Sequence, residues 1–206
     1  MWLFSRYISV SSKGILQGMT DCHSHLLPGV DDGVRTAEES FRILEEMERQ
    51  GIRKLWLTPH IMEDIPNTTD TLKTRFRTLC ESYRGNIRLE LAAEYMLDNL
   101  FVRRLEADDI LPLHEEKRYL LVETSYFNPP MRLLSMLKHI QEKGYHPLLA
   151  HPERYEYMQM ADYKALQQAG VAFQLNIPSL AGMCRKKRKP CKRQACTRCV
   201  VTTLIR

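Results

Sequence analysis

Apolar and polar positions along the chain alternate between short apolar runs and stretches spaced three or four residues apart. The run over 19–23 predicts a short strand. Over 36–50 the pattern predicts a helix: Thr36 and Glu39 form a capping box, Phe41, Leu44 and Met47 share a face, and Gly51 stops it. A strand over 52–58 ends at Pro59, and Leu72, Phe76 and Leu79 mark a second helix over 70–83. A strand over 87–93 and a short helix over 97–105 follow. Next come a strand over 119–123, a helix that begins after Pro129-Pro130 and ends at Gly144, and a strand over 146–150. A further helix up to Gly170 precedes the sixth strand, 171–175. Six strand-helix alternations predict an α/β domain with a parallel sheet and helical crossovers, doubly wound or closed as a barrel.

The length of 206 residues suits one domain, and 44% apolar content is enough for a core and excludes a disordered chain. No apolar run approaches the roughly 20 residues that span a bilayer. The net charge of +5 invites a nucleic-acid reading, but its distribution does not support one. Nine of the 30 Lys and Arg fall between Cys184 and Arg206, a stretch with no acid, which leaves 21 bases against 25 acids before it, a net of −4. Four of the six cysteines lie in the same stretch (Cys184, Cys191, Cys196 and Cys199). The body keeps only Cys22 and Cys80, which fits a reducing cytoplasm. Arg6 and Lys13 interrupt the aromatic start, so a signal peptide is not expected; 1–18 reads as a loosely held arm, with Met19 a candidate natural start. The expected organisation is an arm over 1–18, a domain over 19–183 and a basic, cysteine-rich tail over 184–206.

The ionisable residues sort onto this scaffold. Asp21, His23 and His25 follow strand one, with Asp31 and Asp32 just after; His60 follows strand two. Strand three ends at Glu94, strand four at Glu123, strand five at His151. From His23 the steps are 37, 34, 29 and 28 residues, each about one strand-helix unit, so all of these groups sit at the carboxyl ends of strands. In a parallel barrel those ends converge on the face where active sites are built. His114, His139 and His146 follow no such pattern and read as structural or surface residues. Imidazole and carboxylate without thiolate favour Mn, Zn or Fe. His23, His25, Asp32, His60, Glu94, Glu123 and His151 are too many ligands for one tetrahedral ion and imply two or three clustered metals. Arg154, three residues after His151, is placed to bind a phosphate oxygen through its forked donors.

The run Asp21-Cys22-His23-Ser24-His25 through Asp31-Asp32-Gly33, with Thr58-Pro59-His60 and His151-Pro152-Glu153-Arg154-Tyr155, resembles the polymerase-and-histidinol-phosphatase (PHP) superfamily. Within it, the chain is similar to the bacterial capsule-type manganese-dependent tyrosine-protein phosphatases over about 19–183. The resemblance implies a distorted (β/α)7-type PHP barrel that holds up to three metals, manganese foremost, with zinc or iron as alternatives. It further implies a first metal on His23, His25 and Glu94, a second on Asp32 and His60, and a third on Glu94, Glu123 and His151. A metal-activated hydroxide would attack phosphorus while Arg154 steadies the phosphotyrosine. The implied partner is a phosphotyrosine protein, an autophosphorylated tyrosine kinase of exopolysaccharide or capsule export. Cys22 holds a variable position. A phosphoesterase for a small ester such as histidinol phosphate, and a non-catalytic phosphotyrosine-binding remnant, are the alternatives.

The family pattern continues to a seventh strand ending in Gly-x-Asp-x-His, whose Asp and His complete the first and second sites. Here neither Asp nor His follows His151 except Asp162. The expectation is therefore an incomplete barrel of about six units that lacks its closing strand, with impaired activity. Cys191, Cys196 and Cys199 match no familiar zinc-finger spacing and include no His partner. A basic nucleic-acid arm is the other functional reading of the tail, and the reading adopted has no nucleic-acid partner. A shifted reading frame explains the tail better. Codons can be chosen so that 184–206, re-read two bases later, encodes an amphipathic helix, a Gly stop, a strand and an Asp-x-His. Sequencing the gene around the Met183 codon tests this hypothesis; an in-frame tail in close relatives would eliminate it.

Overall fold

In a computed structural model that describes residues 16–176 and 199–201, strands and helices alternate as the pattern predicts. The elements are β1 (Thr20–Asp21), α1 (Ala37–Arg49), β2 (Lys54–Leu57), β3 (His60–Ile61), α2 (Thr69–Ser82), β4 (Arg88–Leu91), β5 (Glu94–Met96) and α3 (Asn99–Glu106). They continue with β6 (Tyr119–Glu123), α4 (Leu133–Glu142), β7 (His146–Ala150), a 3-10 turn (Pro152–Arg154), α5 (Met160–Gln168), β8 (Ala172–Leu175) and β9 (Cys199–Val201). Every strand pairing is parallel. One sheet has the order β1-β2-β4, the other β3-β5-β6-β7-β8-β9.

At the ends of two predicted strands the ladder breaks and the chain resumes as a second strand, which gives two sheets. Pro59 has no N–H to give the ladder, and β2 stops one residue short of Thr58 before the chain resumes as β3. Ala92 and Ala93 interrupt the neighbouring strand between β4 and β5. The breaks remain stitched: Ala92 N–H donates to Leu57 C=O at 2.9 Å and Glu94 N–H to Pro59 C=O at 3.1 Å. His60 and Glu94 open the resumed strands β3 and β5.

Alternation along the strands sorts side chains onto two faces. Cys22, Trp56, Ala92, Leu113, Leu121, Leu148 and Ala150 form one small buried cluster on or beside the strands. Residues of opposite parity, among them Leu55, Leu57, Leu120, Val122, Leu149 and Phe173, join the main core with Leu44 and Met47 of α1, Leu72 and Leu79 of α2, and Leu137 and Ile140 of α4. Glu94, Glu123 and Gln174 have the parity of the small cluster and continue it toward the strand tips.

Helix starts are set by short polar caps. Thr36 Oγ1 accepts the Glu39 N–H at 3.2 Å, but the Glu39 carboxylate takes the Arg35 N–H at 3.1 Å instead of the Thr36 N–H, so only half of the predicted capping box forms. Thr68 and Asp98 cap α2 and α3; such caps contribute about 1 kcal/mol each.

Two expectations need correction. The arm is not loose where it joins the domain: Leu16 is buried in the core and Gly18 N–H bonds Gly51 C=O at 2.8 Å. The position after β8 is not empty either, because Cys199–Val201 pairs in parallel with β8, Gln174 opposite Val200. An uncovered strand offers unpaired N–H and C=O groups, and a run with two β-branched residues satisfies them. The rest of the arm, and the tail with Cys184, Cys191 and Cys196, lie outside the described residues.

Candidate metal centre

The seven ligand candidates of the sequence meet at the strand tips around Glu94. This carboxylate has no exposed surface (0%) and takes both its oxygens to histidine rings. Its Oε2 lies 3.0 Å from His23 Nε2, 3.2 Å from His25 Nε2 and 3.3 Å from His60 Nδ1. Its Oε1 lies 3.0 Å from His151 Nε2. Glu123, at the end of β6, reaches His60 Nδ1 at 3.2 Å and His151 Nε2 at 3.5 Å. Asp32 stands at the mouth, its side chain 77% exposed, with Oδ1 3.6 Å from His60 Nε2. Potential ligand atoms fall into three overlapping groups: His23, His25 and Glu94; His25, Asp32 and His60; and His60, Glu94 and Glu123.

The electrostatics follow from this crowding. Burial would raise the Glu94 carboxyl, but the charge of His23 and hydrogen bonds from His151, His23 and His25 hold it well below its ordinary range. Burial would lower the His25 imidazole, yet Asp31 and Glu94 push it up to about 10. His60 is likewise raised against the effect of burial, by Glu123 and Glu94. Two ring approaches are as telling: His23 Nε2 lies 3.2 Å from His25 Nε2, and the His25 and His60 rings are 4.4 Å apart between centroids. Rings gathered this closely on one carboxylate suit cations in place of shared protons. The donor set fits a borderline-hard divalent metal. Cys22 does not enter it, since its side chain packs with Trp56, Ala92 and Leu121.

Several positioning groups were not picked out in the sequence. Asp31, though adjacent to the ligand candidate Asp32, is turned inward: Oδ2 lies 2.8 Å from His25 Nδ1 and accepts the His60 N–H at 3.0 Å, while Oδ1 accepts the Gly33 N–H at 3.0 Å. Burial would raise the Asp31 carboxyl, but the His25 contact and these two N–H donors hold it below its usual value. Gly33 is required by contact, because a Cβ there would fall 2.2 Å from the His25 carbonyl oxygen. Asn67 donates from its amide to Val30 C=O at 2.8 Å and to His60 C=O at 2.9 Å, tying the aspartate loop to the His60 tip. Arg104, itself ion-paired to Asp109 at 2.6 Å, holds the Asn67 carbonyl at 2.6 Å. Only the two-aspartate run hinted at any of this.

Arg154 lies on the 3-10 turn after β7 and lines the same cleft as His23, His25, His60, Glu94 and His151; the cleft holds about 1070 Å³. Its guanidinium donates to the Tyr126 hydroxyl at 3.3 Å, and Tyr126, which the sequence did not single out, lines the cleft beside it. The histidines set aside as structural stay away from the cleft. His139 pairs with Glu106 at 2.5 Å on the surface, and His146 packs against Tyr119.

The family described as capsular polysaccharide synthesis, CpsB/CapC, matches residues 19–203. The chain belongs to this family. It is 33% identical to the tyrosine-protein phosphatase CpsB of Streptococcus pneumoniae over 144 residues, 67% of this chain and 58% of that one. It is 28% identical to the tyrosine-protein phosphatase YwqE of Bacillus subtilis over 180 residues, 83% of this chain and 69% of that one. A solved structure from work on YwqE and CpsB, described as unique metal-dependent tyrosine phosphatases, superposes with a TM-score of 0.70 at 26% identity. That match covers 82% of this chain and 70% of the other. The chain spans between 54% and 69% of the length of these and a third curated relative, CapC of Staphylococcus aureus. No described helix is long and apolar enough to cross a membrane.

Proposed function

We propose that this CpsB/CapC-family chain is a metal-dependent protein-tyrosine phosphatase acting on a phosphotyrosine protein of capsule or exopolysaccharide synthesis, in the cytoplasm. The observation that carries the reading is the convergence of His23, His25, His60 and His151 on the buried Glu94, in the cleft that also holds Arg154. His23, His25 and Glu94 would hold a first ion, Asp32 and His60 a second, and Glu94, Glu123 and His151 a third, with manganese the metal proposed. When bound, such ions supply an acidified water and neutralise phosphoryl charge. The chain's own residues do the rest. Arg154 receives the phosphoryl oxygens through its forked donors, and Tyr126 positions that guanidinium. Asp31 fixes the His25 ring, and Asn67 keeps the His60 tip in register with the Asp32 loop.

Two ligand positions of the family pattern, the Asp and His of its closing Gly-x-Asp-x-His, have no counterpart after His151 in this sequence. The ion-binding set proposed is accordingly drawn from residues 23–151 alone. Phosphate release from a phosphotyrosine peptide, with manganese and with chelator, tests the reading against histidinol phosphate and a phosphoserine peptide. The expected result is manganese-dependent release confined to phosphotyrosine. Release that survives the chelator, or prefers histidinol phosphate, would overturn the proposal.

A further inference from the structure

Gln174 belongs to no motif of the sequence, yet it touches two of the ligand candidates. β8 and its preceding residue read Val171-Ala172-Phe173-Gln174-Leu175, and the alternation that sends Phe173 into the main core turns Gln174 the other way, with no exposed surface (0%). A buried amide needs partners, and those it has fix its orientation. Oε1 accepts the His151 backbone N–H at 3.2 Å, and Nε2 donates to the Leu175 C=O at 3.1 Å. A backbone N–H can only donate and a carbonyl can only accept, so these two contacts decide which end of the amide is oxygen.

The same Oε1 lies 2.8 Å from His23 Nδ1. An amide oxygen has no proton to give, so His23 Nδ1 must carry one. That leaves Nε2 as the nitrogen turned to Glu94 and His25, at 3.0 and 3.2 Å. On the other side, His151 adopts a left-handed backbone, φ +30°, which a non-glycine residue holds only when its surroundings restrain it. Its N–H is held by Gln174 and its C=O by the Arg154 N–H at 2.9 Å. In that conformation its Nε2 meets Glu94 Oε1 at 3.0 Å.

We infer that Gln174 is a positioning residue of the metal centre: one side chain on β8 sets the tautomer of His23 and the backbone turn that aims His151. The inference rests on the metal-site reading above, with both imidazoles offering the Nε2 that faces Glu94. It assigns β8 a share in the site although β8 contributes no ligand.

Manganese titration calorimetry of the metal-stripped full chain tests it, on the wild type and on Gln174→Leu, Gln174→Asn and Gln174→Glu. Loss of an outer partner of a ligating histidine weakens metal binding by about 10- to 100-fold, and Gln174→Leu is expected to fall in that range. Gln174→Asn, whose oxygen is drawn back by one methylene, weakens binding in the same direction. Gln174→Glu keeps an oxygen toward His23 and His151 but sets its other oxygen against the Leu175 carbonyl, so it is expected to recover affinity only in part, above the leucine variant. Should the leucine variant lose its circular dichroism, the asparagine and glutamate variants decide the matter alone. In the zinc-loaded wild type, nitrogen NMR of the imidazoles should show His23 bound through Nε2 with Nδ1 protonated, a signature that a merely structural glutamine would not impose. Undiminished affinity in the leucine and asparagine variants, or His23 bound through Nδ1, would overturn the inference while leaving the metal site standing. A wild-type protein that takes up neither manganese nor zinc would overturn the metal reading and this inference with it.

Discussion

Oε1 of Glu94 lies 3.0 Å from Nε2 of His151, a contact between residues 57 apart that joins β5 to the turn after β7. Neither residue neighbours the other's strand, since β6 runs between β5 and β7. Both side chains lie on the same inner face, Glu94 at the start of β5 and His151 just past the end of β7. Around it the candidate centre is built, and its consequences can be measured.

Replacing Glu94 removes the anion on which four imidazoles converge. Glu94→Ala is expected to reduce manganese affinity by more than the roughly 10- to 100-fold typical of an outer-sphere change. Elemental analysis after dialysis checks this; wild-type metal content in the variant would contradict the central place given to Glu94.

Arg154 is predicted to act on substrate and not on metal. Arg154→Ala should lower kcat/KM for a phosphotyrosine peptide by about 100-fold, the scale seen when one donor to a developing anion is removed. Arg154→Lys should recover only part of this, because an ammonium lacks the planar fork. Metal uptake should be unchanged in both, which separates this role from that of Glu94.

The metal-free protein should lose stability as pH rises from about 6.5 toward 10. His25 is raised in the fold from its ordinary 6.5 to about 10, so its contribution is complete below the unfolded value and disappears as pH climbs through the folded one. Asp31 and Glu94 are shifted downward, so their contributions are present above about 3.8 and 4.5 and are lost on acidification. Urea melts of metal-stripped protein should therefore be most resistant between about pH 4.5 and 6.5. Asp31→Asn should flatten the alkaline limb by lowering the His25 value.

Asn67→Leu deprives the Val30 and His60 carbonyls of their donor. The cost should be about 1 kcal/mol of unfolding free energy, the usual net worth of a hydrogen bond, since these groups are only partly buried. Because His60 moves with its carbonyl, binding of the last manganese ion in a stepwise titration should weaken as well. Destabilisation with unaltered metal affinity would show that Asn67 serves the fold alone.

How far the primary structure could be read depended on the kind of signal. The strands over 119–123 and 146–150 were placed to the residue, since apolar runs bounded by turn residues have little freedom. The break at Pro59 was seen, but the chain resuming as β3 was not, because two residues make no periodic signal. Gln174 stood in plain view as the single polar side chain within an apolar run, on the same parity as Ala172, yet nothing local distinguishes it from a solvated edge residue. Asp31 and Asp32 looked alike in the sequence. In the fold Asp31 turns inward to the His25 ring and the His60 and Gly33 N–H groups, while Asp32 stays at the mouth.

By itself the amino-acid sequence determined that strands and helices alternate and that His23, His60, Glu94, Glu123 and His151 recur at unit spacing, because periodicity and chain length are local properties. Tertiary structure alone decided which atoms meet: that Glu94 would face four rings, that Asp31 would buttress and not ligate, and that Gln174 would set a tautomer across two strands. Those choices depend on angstrom-scale distances between segments up to 151 residues apart, and it is the pairing of the two sheets and the packing beneath them that set such distances.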